Sequence, residues 1–419
     1  MKLEEYSHDA KTCIRCSNCR WIDQNYIRSH RFSQICPINA RYGFDAYSGG
    51  GMLTITKALL DGKLEFTSRL QDVLYKCLLC GACDIRCKRN LDIEVLQTLE
   101  ALRATAVQQD RGPLEPHKAI ARKIRESGNR YGITNKKRQR WLPKGVLPTQ
   151  EGGILYFIGC NSSFVQTELA RSTIKILQKS KIPHMVLPDE WCCGHALLTT
   201  GQEDRAREVV EHNIRAIESS GATTVVTSCA ECYQTLKVKY PRLLDKKTED
   251  MSFKVVHIAE YAEQLFKNGV LKLTRPINMR VTYHDPCHLG RLSEPWKPWH
   301  GVFGQFGIPN PPREMRRGTF GIYEPPRELL KNILGLELIE MERAREQTWC
   351  CGAGGAVRDA FKDFASWTAQ ERIEEASLTG AEAIVSCCPW CEENLKDAAG
   401  QNGNGMMVYD LVQLLANAI

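Results

Sequence analysis

The 419-residue sequence predicts a multidomain α+β protein, in which a helical N-terminal domain precedes two α/β domains related by a pseudo-twofold. Three observations carry this expectation. The N-terminal part shows helical periodicity with sparse strand signals, the remainder holds four short β-rich runs that each lead into a cysteine, and the cysteine pattern of that remainder occurs twice.

In the first element, residues 1–110, Val95, Leu99, Leu102 and Ala106 recur at helical spacing. Its cysteines read Cys13-Ile-Arg-Cys16-Ser-Asn-Cys19, then Cys36-Pro37, then Cys77-Leu-Leu-Cys80-Gly-Ala-Cys83 and Cys87. Eight thiolates at these spacings suit two cubane [4Fe–4S] clusters of the ferredoxin type, in which a tight run supplies three ligands and the other motif supplies the fourth. On that pattern Cys13, Cys16, Cys19 and Cys87 hold one cluster, and Cys77, Cys80, Cys83 and Cys36 hold the other. Lys88 stands where the second motif would place proline, a departure that removes no ligand. A pair of zinc sites is the alternative, since spaced CxxC units also bind zinc. No leader segment opens the chain, so the thiols are expected in a reducing compartment.

Residues 111–150 hold Pro113, Pro116, Pro143 and Pro148 together with Lys136-Lys-Arg-Gln-Arg140, and read as a basic linker with a solvated charge run. The first α/β domain is placed at 151–275 and the second at 276–419. Their strands are expected at Ile154–Ile158, Thr223–Thr227, Arg280–Tyr283 and Glu382–Val385, with an apolar helical stripe of Val209, Val210, Ile214 and Ile217 before the second. The ligands would then meet at the carboxyl edges of parallel strands.

The repeated unit is Cys160, then Cys192-Cys193-Gly194, then Cys229-Ala-Glu-Cys232; it returns as Cys287, Cys350-Cys351-Gly352 and Cys388-Pro-Trp-Cys391. Adjacent cysteines point their side chains in different directions, so both serve one site only where a multinuclear cluster spans them. Tandem Cys…CysCysGly…CysxxCys units behind an N-terminal ferredoxin resemble the CCG domains of heterodisulfide reductases, the D-type subunit in particular. The layout is also similar to the iron–sulfur subunits of glycolate oxidase, of anaerobic glycerol-3-phosphate dehydrogenase and of DsrK-type complexes. The resemblance implies two noncubane [4Fe–4S] clusters, one on Cys160, Cys192, Cys193, Cys229 and Cys232, the other on Cys287, Cys350, Cys351, Cys388 and Cys391. It further implies that these ten cysteines act where a disulfide or heterodisulfide is reduced or formed. Cys387 aligns with Ser228 and is left as a spare, small buried thiol.

Between Cys287 and Cys350 lie 62 residues, against 31 between Cys160 and Cys192, so the second repeat carries an insertion near 291–322. Its prolines, aromatics and arginines suit an ordered loop that covers the site or docks a partner; a plain surface elaboration is the alternative. His195 follows the first double cysteine, and His284 and His288 bracket Cys287. His195 and His288 are expected as proton donors, or as hydrogen-bond partners of cluster sulfur.

The formal charge of +7 counts every cysteine as neutral. Four clusters at about −2 each would bring the loaded protein close to neutrality, and nucleic-acid binding has no further support. No apolar run reaches a membrane span and no flavin or nicotinamide fingerprint is evident. The electron source is therefore expected to be another redox subunit, a flavoprotein, a ferredoxin-like protein or a cytochrome b. The chain is placed in the cytoplasm, peripheral to the inner face of the membrane through such a partner. A non-catalytic relay within a larger dehydrogenase or benzoyl-CoA-reductase-type complex is the alternative function.

Overall fold

The expected apolar runs form central strands because they are rich in β-branched residues and covered on both faces, as parallel sheets require. In the computed structural model, which describes residues 1–89, 91–142, 153–402 and 405–419, the first α/β half contains β1 (Ile154–Phe157), β2 (Thr224–Thr227) and β3 (Lys254–His257). They pair in parallel in that order, and an isolated parallel bridge from Leu155 to Met185 extends the sheet beyond β1. The second half contains β4 (Met279–Tyr283), an antiparallel hairpin of β5 (Val302–Phe303) and β6 (Pro309–Asn310), then β7 (Leu336–Leu338), β8 (Ala383–Ser386) and β9 (Met407–Asp410). Its sheet order is β7-β4-β8-β9, again parallel.

The halves repeat one topology: β4, β8 and β9 stand for β1, β2 and β3, and β7 takes the place of the Met185 bridge. The likeness extends to local chemistry. Both third strands end in a capping box that opens the next helix, His257 with Glu260 in one half and Asp410 with Gln413 in the other. Phe157, Val225, Val226, Val281, Ile384 and Val385 are all fully buried in one continuous core. The sequence reading did not pick out β3, β7 and β9; none of them leads into a cysteine, the mark that set the other four apart.

The N-terminal part is helical as expected, with helices Pro37–Tyr42, Gly49–Leu60, Ser68–Tyr75, Ala82–Cys87 and Val95–Gln108. Val95, Leu99, Leu102 and Ala106 all face inward. Gly49 and Gly50 open their helix, and at Gly49 bulk is excluded. A Cβ on Gly49 would meet Cys83 at 2.9 Å, and one on Gly50 would lie 3.6 Å from the Cys19 sulfur.

Two expectations need correction. The segment read as a basic linker is a packed part of the first half over residues 111–142. Its helix Glu115–Ser127 buries Ile120, Ala121 and Ile124 against Cys160, Cys192, Leu197 and Leu198; of the charge run, Lys136, Lys137 and Arg140 are exposed as expected, while Arg138 is fully buried, 2.8 Å from Glu190. Helical periodicity, not charge, was the informative signal there. Pro143 and Pro148 lie outside the described residues. The insertion, in turn, neither covers the cavity described below nor stands free. Arg313 donates to the Asp92 carbonyl at 2.6 Å, Arg316 faces Glu94, and Phe303 stacks on His8 with ring centroids 3.8 Å apart. It straps the second half to the N-terminal domain.

Candidate iron–sulfur centres and the cavity between the halves

Strand ends place the cysteines. β1 ends two residues before Gly159, whose φ of +79° turns the chain so that Cys160 begins a helix; Cys229 and Cys388 stand two residues after β2 and β8, and Cys287 four residues after β4. Each half therefore gathers its ligands at the carboxyl edge of its sheet.

Within the first half the thiols adjoin one another in a row: Cys160 with Cys192, Cys192 with Cys193, Cys193 with Cys232, and Cys232 with Cys229. Cys287, Cys350, Cys351, Cys391 and Cys388 repeat it in the second half. Hydrogen bonds from the two neighbouring thiols hold Cys193 and Cys351 down to about 5. Cys387 stands apart from this row and is buried. In the N-terminal domain Cys36 lies with Cys77, Cys80 and Cys83, while Cys87 lies with Cys13 and Cys19, and Cys16 is next to Cys19. The interleaved grouping brings each fourth cysteine to the other run.

These groups fit iron–sulfur clusters on their donor chemistry. All nineteen cysteines are free, and eighteen converge as two groups of four and two of five. Buried guanidiniums wait beside them without a carboxylate partner. Arg103 is wholly buried and donates only to carbonyls, those of Thr199, Gly355, Leu74 and Cys77. Arg291 donates to the carbonyls of Cys80, Glu346 and Thr348. An anionic cluster would neutralise both, as buried charge requires.

The groups also touch one another. Cys80 is hydrogen-bonded to Cys350, joining the N-terminal domain to the second half. Cys229 is hydrogen-bonded to Cys388, its own counterpart in the repeat, which is the contact a local twofold axis generates. A cavity of about 470 Å³ lies at this junction. Equivalent positions line it from both sides: His195 and Glu231 from the first half, Ala353 and Trp390 from the second. The second half adds polar groups of its own, Arg358, Asp359, Lys362 and Asn394 among them. Arg130 lies over the Trp390 ring, 4.2 Å from its centre, and is held by both oxygens of Asp359.

His195 accordingly reaches the cavity, with Nδ1 3.0 Å from the Thr235 hydroxyl and Nε2 3.7 Å from Glu231. His288 is brought to it across the junction, rings edge-on at 4.6 Å, with Nδ1 3.6 Å from the Cys287 sulfur. His284 accepts from Arg372, and a ring nitrogen of it lies within 4.8 Å of the Cys351 and Cys391 sulfurs. Burial lowers the pKa of His195 and raises that of Glu231. Behind this group Lys239 binds Glu100 of the N-terminal domain at 2.9 Å. Burial opposes ionisation of Glu100, yet Arg242 and Lys239 outweigh it and depress the carboxyl to about 2. Sequence reasoning missed Glu231, Arg130, Arg103 and Arg291; only the carboxylate between two ligand cysteines in Cys229-Ala-Glu-Cys232 was a visible signal.

The Cysteine-rich domain (CCG) family matches residues 154–237 and 281–396, and the 4Fe-4S dicluster domain family matches residues 9–91. The chain is 32% identical to the D-type subunit of the dihydromethanophenazine:CoB–CoM heterodisulfide reductase of Methanosarcina mazei, over 97% of this chain and 93% of that protein. It is 30% identical to the B-type subunit of the fumarate reductase (CoM/CoB) of Methanothermobacter marburgensis, over 99% of this chain and 74% of that one. A hypothetical protein from Helicobacter pylori shares the fold, with a TM-score of 0.55 at 10% identity over 93% of this chain and 71% of its own.

Proposed function

The chain belongs to the heterodisulfide reductase D-type family of iron–sulfur oxidoreductase subunits, and on that premise we propose that it reduces or forms a disulfide in the cavity between its two CCG halves. The observation that supports this reading is the shared cavity, bordered by residues next to both five-cysteine groups.

Cys13, Cys16, Cys19 and Cys87 would hold one cubane and Cys36, Cys77, Cys80 and Cys83 the other, with one noncubane cluster on each five-cysteine group. When bound, the clusters supply electrons one at a time in the order in which the groups touch, from the exposed Cys16 group inward through Cys80 and Cys350 to Cys388 and Cys229. Cleaving a disulfide takes two electrons and two protons and releases two thiols. His195 and Glu231 face the cavity and are the groups placed to deliver those protons. His288 positions His195 from the other half. Other redox subunits, a flavoprotein, ferredoxin-like protein or cytochrome b, would supply the electrons. The chain would work in the cytoplasm, held at the membrane only through such a partner, and no helix among the described residues is long and apolar enough to cross a membrane.

The test is anaerobic: reduce the protein, add the coenzyme M–coenzyme B heterodisulfide or simpler disulfides, and follow cluster EPR together with free thiol. Reoxidation with two thiols per disulfide is expected. Glu231→Gln is expected to slow turnover about a hundredfold at unchanged iron content, and His288→Gln to slow it less while shifting its pH profile. Reducible clusters that ignore every disulfide would instead favour a relay role in a larger dehydrogenase or benzoyl-CoA-reductase-type complex. That second reading is supported by the unbroken row of thiol groups from the surface to Cys160.

A further inference from the structure

Resting on the electron order above, we propose that the surface around Cys16 is the docking face for an electron-transfer protein with an acidic contact surface. Cys16 is exposed and Cys13 half-buried, whereas the cysteines of the two CCG halves are all buried. A protein too large to enter the interior can exchange electrons with this chain most directly there.

Large apolar side chains stand exposed in the same stretch: Ile14 and Phe44 at 68% each, Tyr26 at 53% and Trp21 at 42%. They connect to the cysteine group by geometry as well as by sequence. Ile14 and Arg15 lie between Cys13 and Cys16, with Arg15 at a φ of +57°. Phe44 precedes Asp45, which binds Arg20 beside Cys19. Tyr26 sits under Arg86 and Arg89, which flank Cys87. Such clusters of exposed aromatic and aliphatic side chains mark interaction sites.

Charge selects the partner. Of the carboxylates beside these side chains, Asp23 is neutralised by Arg86, Asp45 by Arg20 and Glu346 by Arg89, while Glu342 accepts from the Ser29 N–H. Lys11, Arg15, Arg28 and Arg41 are exposed and have no carboxylate partner among the described residues. Four uncompensated cations exceed the charge of about −2 that a cubane on Cys13, Cys16, Cys19 and Cys87 would carry, so the rim stays positive. A small apolar contact ringed by cations fits a weak, fast, electrostatically steered encounter, the mode that electron-transfer complexes use.

Binding is tested apart from turnover. The cluster-loaded protein is passed over an immobilised acidic ferredoxin, and zero-length carboxyl–amine cross-linking reports which lysine lies at the contact. Binding that weakens as salt rises, a cross-link through Lys11, and a loss of about tenfold in affinity for the Arg28→Glu and Phe44→Glu variants are expected. Unchanged affinity in both variants, or equal affinity for a basic redox protein such as cytochrome c, would overturn the proposal. Reduction of the clusters by a small uncharged mediator is followed in parallel. Failure of that arm would count against the electron order itself, whereas its success with no salt-dependent binding counts against the docking face alone.

Discussion

Gly352→Ala is expected to destroy the second five-cysteine site, while the equivalent Gly194→Ala leaves the first one standing. Both glycines follow a double cysteine at positive φ, +89° and +85°, where an L side chain costs about 1–2 kcal/mol. Their surroundings differ. A Cβ on Gly352 would meet the Ala365 carbonyl oxygen at 2.3 Å and the Asn394 amide nitrogen at 2.9 Å. Asn394 cannot retreat, because it donates to the carbonyls of Cys351 and Ala365 at 2.6 and 3.1 Å. At Gly194 the nearest atom is a Val209 methyl at 3.6 Å, ordinary contact. Gly352→Ala should therefore cost about 4 kcal/mol or more, counting strain, clash and lost hydrogen bonds together. Gly194→Ala should cost no more than the strain. Iron per chain and the cluster EPR of the two variants read the difference: one site lost in the first, full content in the second. Equal loss in both would show that φ alone controls these turns.

Arg103→Met is the second large effect. The guanidinium ties three parts of the molecule, holding Leu74 and Cys77 of the N-terminal domain, Thr199 of the first half and Gly355 of the second. Met fills comparable volume but takes the donor from the carbonyls of Cys77, Thr199 and Gly355, at about 1–3 kcal/mol for each that stays buried, so a loss of about 4 kcal/mol is expected after partial relaxation. The same change removes a positive charge beside Cys77, and reduction adds negative charge to a cluster there. The midpoint of the cluster on Cys36, Cys77, Cys80 and Cys83 should fall. Anaerobic denaturant unfolding measures the first effect and a redox titration followed by EPR the second. Arg103→Lys separates them, since an ammonium restores the charge but cannot span four carbonyls. A midpoint unchanged in Arg103→Met would sink the electrostatic account.

The duplicated pattern made the architecture legible before any coordinates. Cys-Cys-Gly and CxxC recur in register with the apolar runs at Val225 and Ile384, and two homologous α/β units follow from that alone. The helical N-terminal domain was equally plain from Val95, Leu99 and Leu102. Local signals fell short where tertiary contacts decide. In Lys136–Arg140 the side chains of Lys136, Lys137 and Arg140 are exposed, as a solvated run requires, while Arg138 is buried because Glu190, distant in sequence, meets it. The insertion, expected as an ordered loop that covers the site or docks a partner, or as a surface elaboration, sends Arg313 and Arg316 to Asp9, Asp92 and Glu94, while Arg291 at its start lies beside Cys80.

By itself the sequence determined the ligand chemistry and the fold class, because cysteine spacing and hydrophobic period are properties of the chain over a few residues. Only the tertiary structure decided how those parts face each other. It set Cys80 against Cys350 and Cys229 against Cys388, put His195 and Glu231 on one wall of a cavity with Ala353 and Trp390 on the other, and left Cys16 at the surface. The physical reason is that each of these contacts joins residues from different packed units. Their pairing is fixed by which apolar faces and which buried charges find partners on folding, and no spacing along the chain encodes that choice.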